Sequence, residues 1–498
     1  MTTSTRPLRI GNISASRADR ATATAEFLAA STLDVVALDM LSDEAMLDLA
    51  AQRTDGGPGY ERTAVVQLRE CLDLLGAVGG TRGGAGGNRG GAGNVGGGPG
   101  KSGDDDNTGV RVVTNAGALD PEGLAHELRA LARESGIDLP VACVVSGEVT
   151  DRASELGLGE VDVATVRHGA FGIARALADG AVVVVTGRVS REALVTGAAA
   201  AHHGWTHSAL DALAGSVAVG HVLSGGPGAT GVVDSSTDVT RTTDPVTGGY
   251  PIAEISGDGS AVITRHPSAF GSVTVGTVTD QLLDGVAGAR YAAPDVVLRL
   301  DSVRLAQEGT DRVRLSGARG EPAPAVVAVV GMGRAEGELR PRRVARPLPQ
   351  VEAGHVVVLP GGVRENVPVP GETAPIGPGE LPTPWSPSAV PGGAGVSTQL
   401  GSVASVRRGV VGRGVNIAVW TWDDSAFAWL AGEFTTDRLR ELVGALDGME
   451  VRRYPLPNLR AVNFVARPPR GVVPVAGLGA ELASARLEVP GELLEYGP

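Results

Sequence analysis

The first 200 residues of the chain alternate short runs of β-branched residues with segments of helical pattern. Buried runs of this kind, each followed by an amphipathic helix, are typical of a parallel sheet with helices on its faces. The expected strands are LRIGN, LDVVALDML, VRVVTNAG, PVACVVSGE and AVVVVTGRV, and the expected helices span 17–30, 44–53, 122–133 and 191–201. Asp120 as N-cap and Pro121 at the first helical position mark the third helix, and Ser190 leads into the fourth. We therefore predict an α/β fold with a mostly parallel sheet and flanking helices.

The pattern changes at about Gly249. Five segments from there on alternate apolar and polar residues, as half-buried antiparallel strands do: AVITR, SVTVGTVTD, DVVLRL, DRVRLSG and AVVAVVG. We predict that they form a β-rich annex of the α/β body. Nearer the C-terminus, VASVRRG, VNIAVWTW, a helix over 436–446, MEVRRYPLP and LRAVNFVAR follow in order. Two strands, a helix and two strands in so short a stretch predict a small C-terminal α+β domain of ferredoxin-like kind.

Two segments of poor complexity divide the chain. Residues 79–103 contain 14 glycines among 25 residues, and such sequence buries too little apolar area to offset the entropy of ordering it. The second segment is crowded with proline and glycine, which is typical of a linker. The predicted division is an α/β domain over 1–335 with a disordered insertion at 79–108, a linker over 336–398, the small domain over 399–470 and a tail over 471–498.

The composition of the chain excludes some classes of partner. The net charge is −13, the wrong sign for a protein that grips phosphate backbones, so we do not expect nucleic acid as a partner. No apolar run is long enough for a membrane span, the N-terminus lacks the apolar core of a signal peptide, and two cysteines make no disulfide framework. These features predict a cytoplasmic protein without a membrane partner. The single lysine, Lys101, lies in the glycine-rich segment, so any cation at an ordered site is an arginine.

In an open parallel sheet, ligands bind beyond the carboxyl ends of the strands. That rule brings together a rim of polar residues and glycines: Asn12, Asp39, Asn115, Gly117, Thr186, Gly187 and Arg188. Arg188 is the predicted anchor for a carboxylate or phosphate, with Asn115 and the backbone amides of the glycine turns as polar clamps. The alternative for each residue is structural: Asp39 caps a helix, Asn115 stabilises a turn, and Arg188 pairs with a surface acid.

Proton transfer at this rim needs a titratable group. Asp39 and His221 are the candidates, because a carboxylate or an imidazole can act as general acid or base. A structural, hydrogen-bonded histidine is the alternative for His221. The adjacent His202 and His203 would point to different faces of a helix, so no metal site is predicted there.

Many segments of the chain resemble the acyclic terpene utilisation (AtuA-like) family. They are LDVVALDML, VRVVTNAGALDPEGLAHEL, VVVVTGRVSREAL, HHGW, LAGSVAVGHVL, GGYPIAEISGDGSAVITRHP, TVGTVTDQLL, YAAPDV and GEPAP, and towards the C-terminus GVNIAVW and RYPLPNLRAVNF. The resemblance implies a large N-terminal domain joined to a small ferredoxin-fold domain, and a place in the breakdown of citronellol- and geraniol-type terpenoids through CoA thioesters. It also implies a small-molecule partner, an acyl-CoA or a carboxylate, with CoA present only as part of the substrate and no separate cofactor. Arg407 and Asn416 of the C-terminal domain are expected to contribute across an interface, and homo-oligomerisation is left open.

The chain departs from the family pattern at polar positions. Arg191 stands where the family usually has an acid, and Ser224 and Gly225 stand where it has a glutamate and a cysteine. Two hypotheses follow. The chain is an enzyme of acyl-CoA catabolism, of lyase or hydratase type, that adds the new Arg191 and His168 to the retained rim. Alternatively, it is a catalytically inert relative that acts as a binding or regulatory subunit.

Overall fold

A computed structural model describes most of the chain. The described residues are 6–14, 22–75, 109–145, 147–231, 233–234, 239–240, 249–266, 269–333, 342–375, 394–412, 414–469 and 478–496. The predicted disordered insertion at 79–108 lies outside them.

The described helices are numbered in chain order. They are α1 Ala23–Ala30, α2 Asp43–Thr54, α3 Thr63–Arg69, α4 Leu72–Leu75, α5 Pro121–Glu134, α6 Phe171–Ala178, α7 Ala193–His203, α8 Leu210–Leu223, α9 Val275–Leu282, α10 Asp424–Glu433, α11 Thr436–Leu442 and α12 Leu478–Ser484.

The strands are numbered in the same way. Those of the first 300 residues are β1 Leu8–Ser14, β2 Val35–Asp39, β3 Arg111–Ala118, β4 Val141–Val145, β5 Val163–Val166, β6 Val183–Gly187, β7 Val233–Asp234, β8 Val239–Thr240, β9 Pro251–Ile255, β10 Ala261–Arg265, β11 Arg290–Ala292 and β12 Val297–Arg299. Those that follow are β13 Arg304–Gly309, β14 Arg312–Ser316, β15 Arg319–Glu321, β16 Ala323–Pro324, β17 Val326–Gly333, β18 Arg342–Pro349, β19 Val356–Val358, β20 Arg364–Asn366, β21 Thr373–Ala374, β22 Gly395–Gln399, β23 Ser405–Val411, β24 Gly414–Trp420, β25 Glu450–Leu456, β26 Ala461–Arg467 and β27 Arg486–Pro490.

A large mixed sheet organises the body. Its strand order is β13-β14-β10-β9-β1-β2-β3-β6-β4-β19-β20. The five strands from β1 to β4 in this order are parallel, and the four strands beyond β1 pair antiparallel. The predicted α/β class, with its parallel sheet and β-rich annex, is confirmed. The strands β19 and β20, at one end of the sheet, fall inside the predicted linker. Since β19 pairs with β4, this part of the predicted linker continues the sheet of the body.

Helices cover both faces of the sheet. Successive side chains of a strand point to opposite faces, so each strand contributes residues to both helical layers. Ile10 packs into the core with α6, α7 and α8, whereas Ile13 packs into the core with α1, α3 and α5. Asn12 shares the parity of Ile10, so its side chain lies on the α7 and α8 face. The same alternation places Asp39 on that face, because Ala37 belongs to the α7 and α8 core.

Local sequence explains the starts of α5 and α9. The Asp120 side chain accepts a hydrogen bond from the Gly123 N–H, and Pro121 opens α5, which confirms the predicted cap. The prediction of a strand over SVTVGTVTD was wrong, because most of that segment forms α9. Thr274 and Thr277 form a reciprocal capping box there, which outweighs the strand preference of the β-branched residues.

The C-terminal sheet has the strand order β23-β24-β26-β25 and is antiparallel throughout. One face, including Ile417 and Phe464, packs with α10 and α11 in a core of its own. The other face, including Ala418 and Trp420, packs into the core of the body. β24 and β25 run parallel with β26 between them, a split β–α–β arrangement. A ferredoxin-like domain stays a prediction.

No helix among the described residues is long and apolar enough to cross a membrane.

Candidate functional site

Asp39 and Asn115 join the carboxyl ends of β2 and β3. The Asn115 amide donates to Asp39 Oδ1 at 2.7 Å, and its Oδ1 accepts the Met40 N–H at 2.7 Å. Burial raises the pKa of the Asp39 carboxyl, while Arg191, the Asn115 amide and Arg188 oppose that effect. The Asn115 side chain therefore fixes the Asp39 carboxyl and ties together two strand ends.

Asn12 lies at the end of β1 with an inaccessible side chain. Neither its amide nitrogen nor its oxygen has a hydrogen-bond partner among the described residues. Buried polar groups are normally hydrogen-bonded, so an orphaned amide at a strand end calls for a partner such as a water or a ligand.

Arg188 is buried rather than open to a ligand. Its guanidinium donates to Asp43 Oδ1 at 2.7 Å, and Arg167 lies 4.0 Å from the same carboxylate. Arg188 thus forms an ion pair at the start of α2, which agrees with the structural alternative for this residue. Its role as an anion anchor stays a prediction.

Gly117, Thr186 and Gly187 bring β3 and β6 together. A Cβ on Gly117 would lie 2.6 Å from the Thr186 carbonyl oxygen, so only glycine fits. The Thr186 hydroxyl donates to the Gly187 carbonyl at 2.9 Å. Their observed contacts are packing and backbone contacts, and ligand binding by them stays a prediction.

The helix that follows β6 begins later than predicted. α7 starts at Ala193 with Glu192 as N-cap. The Ser190 N–H donates to the His168 carbonyl, and the Ser190 carbonyl accepts the Ala193 N–H. Arg191 therefore lies in the turn before the helix and not in its first turn. Arg191 is exposed, whereas Glu192 is buried. The Arg191 charge interacts with those of Asp39 and Glu192.

His221 lies at the C-terminal end of α8 and is 7% exposed. Its ring centre is 4.9 Å from that of Tyr291, and its neighbours Val222 and Leu223 pack in one core with Leu282 and Leu283, just before Asp284. Burial lowers the pKa of His221, and the nearby Asp284 carboxylate opposes that shift. His221 Nε2 is buried and has no hydrogen-bond partner among the described residues.

Tyr291 connects His221 to Glu192. Its hydroxyl donates to Glu192 Oε2 at 3.4 Å, and burial together with the Glu192 charge raises its pKa. Gly220 allows this arrangement, because a Cβ there would lie 2.8 Å from the Glu192 Cα. We call Asp39, Arg191, Glu192, His221 and Tyr291 the strand-end cluster.

Arg407 and Asn416 reach the neighbourhood of this cluster from the C-terminal sheet. Arg407 Nε donates to Asp284 Oδ1 at 3.2 Å. Asn416 is fully buried and bonds to Leu283 and Gly285. Both residues therefore contact the segment that faces His221, and direct ligand contact by either stays a prediction.

His168 lies elsewhere. Its ring packs 4.4 Å from that of His355 in a separate small pocket, which also includes Asp295. His168 Nε2 accepts the Gly147 N–H at 3.0 Å. Its backbone holds Ser190, so it supports the turn before α7 without joining the strand-end cluster.

Sequence reasoning missed Glu192 and Tyr291. Glu192 stands two residues after the TGRVS segment, and the helix start predicted at residue 191, two residues before the observed start of α7, placed it inside a helix. Tyr291 comes from β11, about 70 residues beyond His221, and no spacing links the two. Among the residues that the structure describes, no group of three or more His, Cys, Asp or Glu is arranged to hold a metal.

A family model described as acyclic terpene utilisation family protein AtuA matches residues 8–81 and 104–338 of the chain. The match includes every residue of the strand-end cluster and ends before the C-terminal sheet. No curated protein and no solved structure matches the chain. The chain belongs to the AtuA family, a membership that associates it with acyclic terpene utilisation.

Proposed function

We propose that the strand-end cluster binds a small anionic acyl compound of acyclic terpene or branched-acyl catabolism, as a carboxylate or a CoA thioester. The observation that carries this proposal is the position of His221 Nε2. This nitrogen is buried and unpaired among the described residues, and its ring lies in the field of the exposed Arg191. A buried titratable group without a partner in the described part of the chain and an exposed cation therefore lie near each other.

Arg191 is the better anion partner of the two arginines at the strand ends. Arg188 is buried against the Asp43 carboxylate, whereas Arg191 is exposed and interacts with its neighbours through its charge. An exposed guanidinium can form paired hydrogen bonds with an incoming carboxylate or phosphate. The replacement of the family's usual acid by Arg191 then favours a more anionic ligand than that of other members.

The rest of the strand-end cluster suits proton transfer. A lowered pKa keeps the His221 imidazole neutral near pH 7, so Nε2 can accept a proton from a bound substrate. Glu192 orients the Tyr291 hydroxyl beside that ring. A neutral imidazole next to an oriented hydroxyl can remove a proton beside a thioester carbonyl or activate water, as a lyase or hydratase requires.

Ser224 favours a second candidate, a binding or regulatory subunit without catalysis. This position carries a glutamate in the family pattern, and here the Ser224 hydroxyl donates to the His221 carbonyl at 2.8 Å. Ser224 is thus committed to the end of α8. In this alternative the scaffold and the ligand site are kept while an acid of the reaction is lost.

Thermal unfolding with ligands tests the proposal. The panel contains free CoA, acetyl-, isovaleryl- and geranyl-CoA, and the matching free acids. A ligand present at about 100 times its Kd should raise the Tm by about 2–4 °C. Arg191→Met should abolish the shift, because the anion loses its cation.

Arg364→Met is the matched control. Arg364 pairs with Glu122 at the far edge of the sheet, so its loss should leave the ligand shift unchanged. Turnover of the stabilising compound by the wild type, lost in His221→Gln, establishes the enzyme. Binding without turnover establishes the binding subunit instead, and no shift with any member of the panel overturns the proposed ligand class.

A further inference from the structure

The C-terminal end of α9 lies between the strand-end cluster and the C-terminal sheet. Asp284 follows α9, and Leu282 and Leu283 before it pack in one core with Val222 and Leu223 beside His221, so the Asp284 carboxylate and backbone lie near enough to act on the His221 ring. From the C-terminal sheet, Arg407 of β23 donates to this carboxylate. We call residues 283–286 the α9 turn.

Two buried asparagines of the C-terminal sheet hold the α9 turn. Asn416 Nδ2 donates to the Leu283 carbonyl at 2.7 Å, and its Oδ1 accepts the Gly285 N–H at 3.0 Å. Asn463 Nδ2 donates to the Val286 carbonyl at 3.0 Å. The Leu283 and Val286 carbonyls lie just beyond the end of α9, and the C-terminal sheet supplies their hydrogen-bond partners.

The fit between the sheet and this turn is close. Asn416 and Asn463 are both inaccessible to solvent and bond to each other at 3.1 Å. A Cβ on Gly409 would overlap the Gly285 nitrogen, so the backbones meet directly. Gly285 has a φ of +66°, which suits a glycine in a tight turn. Such a set of contacts fixes the position of Asp284.

We propose that the C-terminal sheet sets the protonation of His221 through the α9 turn, with Asn416 and Asn463 as positioning residues and Arg407 as the charge that balances Asp284. The sheet lies outside the part of the chain that matches the family model, and it nonetheless completes the surroundings of a histidine inside that part. The proposal concerns the protein without ligand, so it does not depend on the acyl compound proposed above.

The groups that face His221 determine in which direction each substitution should shift its titration midpoint. Asp284 comes from the α9 turn, Arg191 and Glu192 come from the turn before α7, and Tyr291 comes from β11. Asp284 raises the His221 pKa by its carboxylate and by its backbone, and Arg191 lowers it. Moving Asp284 away should therefore lower the titration midpoint, and removing the positive charge beside Asp284 should raise it.

The test is a pH titration of the histidine rings by NMR in the full chain, with the His221 signal assigned by its loss in His221→Gln. In Asn416→Leu we expect a lower midpoint, because the α9 turn loses two of its bonds. Asn458→Leu is the matched control. Asn458 also donates to two carbonyls across this interface, those of Leu300 and Val303, and should leave the His221 curve unchanged.

Arg407 gives a second, independent measurement in case Asn416→Leu fails to fold. Arg407→Met should raise the midpoint by about half a pH unit, whereas Arg407→Lys keeps the charge and should stay near the wild type. The proposal is overturned if folded Asn416→Leu and Asn458→Leu give the same His221 curve, or if Arg407→Met leaves the midpoint where it was. Ligand binding can succeed or fail without changing either result.

Discussion

The buried carboxyl of Asp39 destabilises the folded protein when it is ionised. Burial raises the Asp39 pKa above its ordinary value of 3.8. A raised pKa means that stability falls as the pH rises through 3.8 towards the folded-state pKa. Asp39→Asn keeps the oxygen that accepts from Asn115. We expect it to raise the free energy of unfolding at pH 7 by about 1 kcal/mol, with no gain below about pH 4.

Urea unfolding at pH 4 and pH 7 measures this difference. Asp73→Asn, at an exposed position in α4, should change the stability little at either pH. A loss of stability in Asp39→Asn at pH 7 would contradict the prediction, since it would mean that the negative charge is favourable in the folded protein.

One topological rule predicted the residues at the strand ends, whereas His221 was predicted from the chemistry of its imidazole. The carboxyl ends of parallel strands share an edge, and that rule found Asn12, Asp39 and Asn115 without a structure. The bond between Asp39 and Asn115 follows from it, because β2 and β3 are neighbours. Gly220 of α8 lies against Glu192, and the Tyr291 hydroxyl reaches Glu192 from β11, so no local pattern encodes this pair.

At the scale of elements, α8 crosses the β9–β10 hairpin at a glycine. A Cβ on Gly215 would overlap the carbonyl oxygen of Gly259, which is backbone and cannot rotate away. We expect Gly215→Ala to destabilise the protein by about 1–3 kcal/mol. Gly432→Ala in α10 is the control: nothing lies within 4 Å of its Cβ, so the better helix former should add about 0.5–1 kcal/mol. Equal effects of the two changes in chemical denaturation would contradict the close crossing.

A pH-sensitive carboxyl, that of Asp295, accepts a hydrogen bond at the start of α6. Asp295 Oδ2 accepts the Ala170 N–H at 2.7 Å, and burial raises the Asp295 pKa from 3.8 to about 7. The folded protein should therefore lose stability as the pH rises from about 4 to about 7 and level off above that. Asp295→Asn keeps an acceptor for Ala170 and should be more stable than the wild type by about 2 kcal/mol at pH 8.

Thermal unfolding of this variant across pH 4–8 checks the direction. The difference between the wild type and Asp295→Asn should shrink towards pH 4, where the folded-state carboxyl is protonated and that of the unfolded chain is about half protonated. Parallel curves over the whole range would show that Asp295 does not titrate between these limits.

Elements could be predicted where the cap and the periodicity agree. In α5, the Asp120 cap, Pro121 and an amphipathic stripe all indicate a helix, and the structure has one. In α9 the β-branched residues indicate a strand, whereas the capping box of Thr274 and Thr277 favours a helix, and the structure has a helix. The strand β19 was missed because it lies among prolines, and its pairing partner β4 is more than 200 residues away.

At the scale of the whole molecule, the C-terminal sheet has two buried faces that serve different cores. Phe464 packs with the helices of its own module, whereas Trp420 packs into the core of the body and donates to Asp280 at 2.6 Å. A sheet with one face in each core couples the stability of both. The segment outside the family match is therefore part of the same folding unit as the site that it borders.

This coupling predicts a single calorimetric unfolding transition for the wild type. Ala418 is fully buried on the face towards the body, so Ala418→Arg places an unpaired charge there and should cost the interface about 3 kcal/mol or more. We expect the endotherm to split, with the body and the C-terminal sheet unfolding separately. Val410→Arg, at a side chain that is 61% exposed on the same sheet, should leave one transition. Two transitions already present in the wild type would show that the two cores unfold independently, and the C-terminal sheet could then hold the α9 turn only as a loosely docked module.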